Sequence, residues 1–233
     1  MKTATTIKLS KKTLDLLKNF SAVNVSLYME AGNTLWTMSE SGTLCVSAKI
    51  DETIDTTFGI FNLPKFLGAI SLFNNPEFEF EDKYVTISGH DNSTVKYYYC
   101  EPRLIEKIVK NYNKIPKMKN VKFEFDITSK QIADLHRMAN ILELNNLAFE
   151  AKDEGVNIKV FDKSNASANV FNIHKSDATI NEENGKQILT LSQYLKDIYP
   201  GDYSVSVSDT MTCWKNKNVE IQYIIANDCT IKD

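Results

Sequence analysis

Long apolar runs and arginine are what this sequence most clearly lacks. No stretch of its 233 residues approaches the roughly 18 consecutive apolar residues that a membrane-spanning helix needs, and residues 1–6 lack the apolar core of a signal peptide. We therefore expect a globular protein that stays in the compartment where it is made. Arginine occurs only at Arg103 and Arg137 among 27 basic residues, so paired guanidinium contacts with DNA base edges are not expected.

Cysteine and histidine are also scarce, and neither forms a catalytic or metal-binding motif. The cysteines have no Cys-x-x-Cys spacing, which indicates reduced thiols rather than a disulfide framework or a zinc site. The histidines fall on different predicted elements, and the common phosphate-loop, zinc-protease, nucleophile-elbow and EF-hand motifs are missing. These residues are Cys45, Cys100, Cys213, Cys229, His90, His136 and His174. We predict no enzymatic activity, no cofactor and no metal site, and keep an uncharacterised hydrolase as a minor alternative.

Most of the chain alternates short apolar runs with turn residues, a pattern typical of β-strands. The predicted strands of the first half are 25–29, 43–50, 78–80, 84–88 and 94–99. Those of the second half are 121–127, 147–151, 156–161, 168–173, 203–207 and 219–225. Turns are predicted at Gly32-Asn33 and Pro200-Gly201-Asp202, among other places, because these residues favour the backbone angles of tight turns.

Four segments have helical spacing instead, and they form two copies of one plan. They are residues 10–20, 62–73, 128–142 and 190–199, with Ser10 and Asn62 as good N-caps. Aligning Ser10 with Thr128, and Asn62 with Thr190, matches the apolar positions of the paired helices. The apolar side of the first helix is predicted to centre on Leu14, Leu17 and Phe20, and Ser192 in the fourth is expected to face outward. The order strand, helix, several strands, helix, several strands occurs twice, which predicts an α+β protein of two similar domains, each with two helices packed on antiparallel sheets.

The predicted domains are residues 1–102 and 121–233, joined by a linker at 103–120. The linker region is rich in lysine, and Pro102 and Pro116 interrupt regular structure. Its apolar residues allow a short amphipathic helix that packs back on a domain; they are Leu104, Ile105, Ile108, Val109 and Tyr112.

Charge is separated between the helices and the rest of the chain. The whole sequence has a net charge of −3, yet the outward helix faces carry seven cations against one central anion, Asp15. The cations are Lys11, Lys12, Lys18, Lys65, Lys130, Arg137 and Lys196. Lysines on one amphipathic helix are usually just its solvated side, but this separation favours loose contact with a phosphate backbone, without reading of bases.

Two other functions are compatible with the sequence. The run Tyr97-Tyr98-Tyr99 and the basic linker could serve a module that binds single-stranded nucleic acid by stacking, although strand aromatics are more often part of a core. A structural ring protein, in which the helices merely decorate the sheets, is the other alternative.

Three segments carry a resemblance to a known family. Residues 8–20 (KLSKKTLDLLKNF), 62–72 (NLPKFLGAISL) and 200–203 (PGDY) resemble the trimeric DNA polymerase sliding clamps, or processivity factors, of T-even-type bacteriophages. The resemblance extends over essentially the whole chain in order and length, and it is strongest in the first 75 residues. The lysine-rich linker departs from it, since the linkers of comparable members are rich in Pro and Ala.

The resemblance implies the DNA-clamp fold and a homotrimeric ring in which six similar domains surround double-stranded DNA. Helices would line the hole and present the seven cations to phosphate, and sheets would form the rim. Such clamps are loaded by an ATP-driven clamp loader, hold the polymerase through its C-terminal peptide, contact late-transcription factors and catalyse nothing. The expected location is the cytoplasm of the infected bacterial host.

Overall fold

The computed structural model describes residues 6–90, 92–165, 167–182 and 185–228. The chain divides into two compact units, and the division falls between Lys114 and Ile115, inside the segment that the sequence assigns to a linker. The predicted bounds of the domains and the linker stay a prediction. Among the described residues, no helix is both long and apolar enough to cross a membrane. Cys229, predicted to be a reduced thiol, lies outside the described residues.

The first unit contains two four-stranded groups of antiparallel strands. Its strands are β1 (Thr6–Ile7), β2 (Leu27–Met29), β3 (Gly32–Met38), β4 (Leu44–Ile54), β5 (Phe58–Ile60), β6 (Glu77–Phe80), β7 (Tyr84–Ser88) and β8 (Thr94–Tyr98). Its helices are α1 (Lys11–Val23), α2 (Leu63–Ile70), a 3₁₀ helix (Pro102–Ile105) and α3 (Glu106–Asn111). One group has the order β1-β6-β7-β8 and the other β4-β3-β2-β5.

The second unit repeats this plan. Its strands are β9 (Val121–Ile127), β10 (Asn146–Lys152), β11 (Gly155–Phe161), β12 (Phe171–Lys175), β13 (Thr179–Ile180), β14 (Gln187–Leu191), β15 (Tyr203–Ser208), β16 (Met211–Asn216) and β17 (Ile221–Ala226). Its helices are α4 (Ser129–Ile141) and a 3₁₀ helix (Ser192–Asp197). The strand orders are β9-β15-β16-β17, with β13 added beside β9, and β12-β11-β10-β14. The predicted α+β class, with helices and antiparallel sheets in two similar copies, is confirmed.

The three α-helices predicted from cap chemistry begin where the sequence places them. Ser10 Oγ accepts a hydrogen bond from the Thr13 amide, and the Asn62 side chain accepts one from the Lys65 amide. Thr128 forms a capping box with Gln131. Each cap satisfies amide groups that the first helical turn leaves unpaired.

The buried stripe of α1 differs slightly from the predicted one. Leu16, Leu17 and Phe20 are buried, whereas Leu14, expected at the centre of the apolar side, is only half-buried. The stripe is therefore centred closer to Leu16, and Leu14 contributes to the surface of the helix.

The fourth predicted helix, residues 190–199, is wrong in type and in start. Thr190 is not an N-cap but pairs with Leu147 in the β14–β10 ladder, and a six-residue 3₁₀ helix follows. Only a short segment remains between the strand and Pro200, which favours a tight 3₁₀ turn over an α-helix. Ser192, expected to face outward, is buried, and its hydroxyl donates to the Leu144 carbonyl at 2.6 Å.

The predicted strands do not include β3, β5, β13, β14 or β16. In β3 the four residues Leu35, Trp36, Thr37 and Met38 are all buried, so both faces of the strand are covered and the period of two disappears. Its first residues are Gly32 and Asn33, which the sequence predicts as a turn. Half of the residues of β16 are polar, and its sequence, MTCWKN, does not alternate strictly between polar and apolar residues.

The linker region packs against the first unit as a short helix. Ile105 and Ile108 are buried, and the Tyr112 ring meets the Tyr28 ring edge-on with centroids 5.2 Å apart. The Tyr112 hydroxyl donates to the Thr34 carbonyl at 2.9 Å. These contacts hold α3 on the surface of the unit.

Candidate nucleic-acid interface

The structure places all seven predicted cations on the outer sides of the helices in their own units. Six are exposed and one, Lys12, is intermediate. The exposed residues are Lys11, Lys18, Lys65, Lys130, Arg137 and Lys196. Small or polar neighbours, including Gly68 and Ala133, are also exposed, so each face offers little steric obstruction to a phosphate backbone.

Three of the cations form ion pairs within their unit. Lys12 Nζ lies 2.6 Å from Asp51 Oδ1 on β4, and Lys18 Nζ lies 3.3 Å from Asp15 Oδ1 within α1. Lys130 pairs with Asp134 one turn along α4, at 3.6 Å. The hydrogen bond from Lys12, helped by one from Ser10, holds the pKa of the Asp51 carboxyl below its usual range. A phosphate must compete with these carboxylates for the paired lysines.

The other four cations form no ion pair with a carboxylate among the described residues. The side chains of Lys11, Lys65, Arg137 and Lys196 form no hydrogen bond or ion pair with another described residue. Two of them belong to each unit. They are the side chains most available to an anionic partner.

The count of seven cations against one anion therefore overstates the available charge. Asp51 and Asp134, which the sequence count omits, neutralise two of the lysines, and Asp15 neutralises a third. Asp197 adds a carboxyl next to Lys196, but it is buried. Burial raises the pKa of the Asp197 carboxyl, and the positive charges of Lys196 and His136 oppose that shift.

The tyrosine run predicted for single-strand stacking is mostly part of the core of the first unit. Tyr97 packs edge-on against Phe66 at 5.0 Å and donates its hydroxyl to the Asn62 carbonyl. Tyr99 stacks on Phe58 at 5.3 Å. Only Tyr98 is well exposed, so the run as a whole does not form a stacking surface.

An exposed apolar patch in the first unit was not anticipated. Val25, Phe61 and Leu104 are 49%, 55% and 58% exposed, respectively. They lie around a groove of about 290 Å³ that is also lined by Met38 and Ile108. The residues come from three distant parts of the sequence, so no local pattern could have revealed the patch.

Within the part of the chain that the structure describes, no cluster of three His, Cys, Asp or Glu side chains is arranged to hold a metal ion. The candidate binding surfaces of the described residues are the charged helix faces and the apolar patch.

Similarity to curated proteins extends over most of the chain. The sliding clamp of Vibrio phage KVP40 is 24% identical over 203 residues, which are 86% of this chain and 90% of the relative. That of Enterobacteria phage T4 is 29% identical over 164 residues, or 70% of each chain. That of Escherichia phage RB69 is 22% identical over 229 residues, or 94% and 96%. No protein-family model matches the chain.

Solved structures with a similar fold are DNA clamps. Proliferating cellular nuclear antigen (PCNA) from Entamoeba histolytica superimposes with a TM-score of 0.67 at 12% identity, over 97% of this chain and 99% of the other. A. fulgidus PCNA bound to the C-terminal region of FEN-1 gives 0.69 at 12% identity, over 98% and 99%. The Helicobacter pylori beta clamp bound to a DNA ligase peptide gives 0.65 at 14%, over 98% and 68%. The fold of the chain is thus the DNA-clamp fold.

Proposed function

Because the chain belongs to the sliding clamps of T-even-type phages, we propose that three copies close into a ring around duplex DNA and tether the phage polymerase to it. The resemblance seen in the sequence is confirmed by these relatives. The protein is a sliding clamp, and its role is processivity in DNA replication. The main support for the proposed contact with DNA is the set of unpaired cations on the helix faces.

The unpaired cations suit a partner that must slide. Lys11, Lys65, Arg137 and Lys196 are exposed side chains that can each approach a phosphate without reading a base. Contacts of this kind release counterions, and their strength falls steeply with salt. A closed ring stays on DNA even when each contact is weak, so we propose that threading rather than tight binding gives retention.

Two strand edges support the proposed ring. Strands β8 and β12 are each the last strand of a four-stranded sheet, and each has one edge without a partner strand among the described residues. Tyr98 on β8 is 65% exposed, and Val170 beside β12 is 57% exposed. Unpaired edges with exposed apolar side chains are templates for another strand. We propose that β8 of one copy meets β12 of the next.

The exposed patch of Val25, Phe61 and Leu104 suits an apolar peptide. Two of the solved clamps described above are bound to a segment of another protein, from FEN-1 in one case and DNA ligase in the other. We propose that the patch contributes to binding the C-terminal peptide of the phage polymerase. The further partners in the proposal are an ATP-driven clamp loader and late-transcription factors, and the ring acts in the cytoplasm of the infected host without catalysing a reaction.

Retention on closed DNA tests this function. The clamp is loaded by its cognate loader onto nicked circular DNA, and half of the sample is then cut once with a restriction enzyme. We expect the clamp to co-elute with the circle and to leave the linear DNA, because threading is lost at the free ends. Light scattering should give the mass of three 26.5 kDa chains, about 80 kDa, falling on dilution if the interface is weak.

Equal retention on circular and linear DNA would show that binding, not threading, holds the protein. A single-chain mass at every concentration would exclude a homomeric ring. A trimer that has no effect on the polymerase would instead support the structural ring protein considered from the sequence.

A further inference from the structure

A second surface feature of the first unit is not explained by duplex binding. A groove of about 560 Å³ lies between α1, α2 and the segment that follows α2. This volume is within the range of about 300–1,000 Å³ that is usual for small-ligand sites. All of its lining residues belong to the first unit.

The rim of the groove is positively charged. Lys8, Lys11 and Lys18 line the groove together with a single carboxylate, Asp15, and with His90. Lys8 pairs with Glu77 at 3.1 Å, and Lys18 pairs with Asp15 at 3.3 Å. Lys11 has no partner among the described residues, so it is the first available contact for an anion.

Apolar side chains form another part of the lining, which is called the floor of the groove. Leu14, Leu67, Phe73 and Pro76 belong to it and are each half-buried, and the buried Ile70 belongs to it as well. The polar residues Ser71, Asn74 and Asn75 also line the groove. Duplex DNA would leave this apolar floor uncovered, because its phosphates are charged and the faces of its bases are stacked inside the double helix. An occupant that satisfies both parts of the groove carries a negative charge next to a flat or apolar group.

We propose that this groove binds an unpaired nucleotide of single-stranded DNA. Its phosphate meets the unpaired Lys11, and its base lies on the floor against Phe73, since aromatic stacking contributes about 1–3 kcal/mol per base. An acidic apolar peptide would satisfy the same chemistry. The nucleotide is favoured because Lys11 also belongs to the helix face assigned to DNA, so a strand that leaves the duplex reaches the groove along the surface of α1. This inference rests on the proposed function.

Fluorescence anisotropy tests it with a labelled oligothymidylate and a labelled short hairpin duplex, added to the full protein without loader. We expect Phe73→Ala to weaken oligothymidylate binding about fivefold or more, the loss of at least 1 kcal/mol of stacking, and to leave hairpin binding unchanged. Lys11→Gln should weaken both. The matched control is Leu72→Ala, because Leu72 is 79% exposed next to Phe73 and does not line the groove.

Because Phe73→Ala could disturb the fold, Leu67→Gln serves as a second variant of the floor, and circular dichroism verifies folding of both. Folded variants that bind oligothymidylate as the wild type does would overturn the inference. Displacement of the oligothymidylate by an acidic leucine-containing peptide at lower concentration than by unlabelled oligothymidylate would assign the groove to a peptide instead. Either result leaves retention on circular DNA intact, whereas loss of that retention in the wild type would reject the proposed function itself.

Discussion

Lys12 and Lys130 hold the same position in the two copies of the fold, two residues after the N-cap of α1 and of α4. Lys12 is held by Asp51 on strand β4, at 2.6 Å, and its side chain is 38% exposed. Among the residues that the structure describes, Lys130 pairs only with Asp134 of its own helix, at 3.6 Å, and its side chain is 88% exposed. The helical position sets which side a lysine faces, but the neighbouring strand determines whether the lysine is available.

The lysines on the second helices of the two units are equally available, although the helices differ in type. Lys65 lies on an α-helix and Lys196 on a 3₁₀ helix, yet both are exposed and neither side chain pairs with another described residue. Both units therefore present an exposed cation at this position, although one helix is an α-helix and the other is a 3₁₀ helix. The charged surface depends on the side of the helix that faces solvent more than on the exact backbone geometry.

Removal of the N-caps of α1 and α4 should give the largest losses of stability, and the loss should be greater for α1 than for α4. We expect Ser10→Ala to lower the free energy of unfolding by about 1–2 kcal/mol and Thr128→Ala by about 1 kcal/mol. The Ser10 hydroxyl accepts from the Thr13 amide and also lies 3.1 Å from Asp51 Oδ2. In Thr128→Ala the Gln131 side chain can still accept from the backbone amide of residue 128. Urea denaturation at one fixed protein concentration measures both.

Ser129→Ala is the control, because Ser129 is exposed at the first position of α4. It should change the free energy of unfolding by no more than about 0.5 kcal/mol. A larger loss for Thr128→Ala than for Ser10→Ala would contradict the stronger tie between α1 and its strand.

The pKa values of two aspartate carboxyls, one in each unit, should report the lysine contacts of each unit separately. The Lys12 hydrogen bond is the main cause of the lowered pKa of Asp51, and the Lys217 hydrogen bond is the main cause of the lowered pKa of Asp126 in the second unit. We expect Lys12→Gln to raise only the pKa of Asp51, and Lys217→Gln only that of Asp126. Carbon-detected NMR titration of the aspartate carboxyls measures both values, and each variant is the control for the other.

The sign of the accompanying stability change follows from linkage. Because the folded pKa of Asp51 is depressed, its contribution is fully present above the ordinary aspartate pKa of about 3.9 and is lost as the pH falls through the lowered folded value. The Lys12→Gln variant should therefore differ from the wild type most at neutral pH and least in acid. An unchanged Asp51 pKa in Lys12→Gln would show that another contact causes the shift.

The features that could be predicted from the sequence are those that depend on residues close together in the chain. The caps at Ser10, Asn62 and Thr128 depend on a few adjacent residues, so their positions are visible in the sequence. The Lys130–Asp134 pair was also readable, since the residues are four apart on a helix. The Lys12–Asp51 pair was not, because 39 residues separate the partners and only the packing of α1 on β4 brings them together.

Burial explains what the sequence could not predict. Strand β3 is covered on both faces and has no alternating pattern, and Thr190 is a strand residue because β10 pairs with it. The apolar patch and the groove beside α1 each combine residues from several elements. Sites of this kind depend on tertiary contacts that periodicity does not report.

We propose that the unpaired cations, rather than all helix cations, contact DNA, and two variants with equal loss of charge test this most directly. Lys11→Gln with Lys65→Gln removes two unpaired lysines of the first unit, and Lys12→Gln with Lys18→Gln removes two paired ones. Primer extension by the clamp-dependent polymerase is measured over a range of salt concentrations, since the number of phosphate contacts sets the salt dependence.

Each variant lowers the charge of every subunit equally, so a difference between them reports contact rather than net charge. We expect the unpaired variant to give product lengths at least about threefold shorter than the paired variant at moderate salt, with a weaker salt dependence, while both remain trimeric. Equal product lengths in the two variants, or shorter products in the paired one, would contradict the claim.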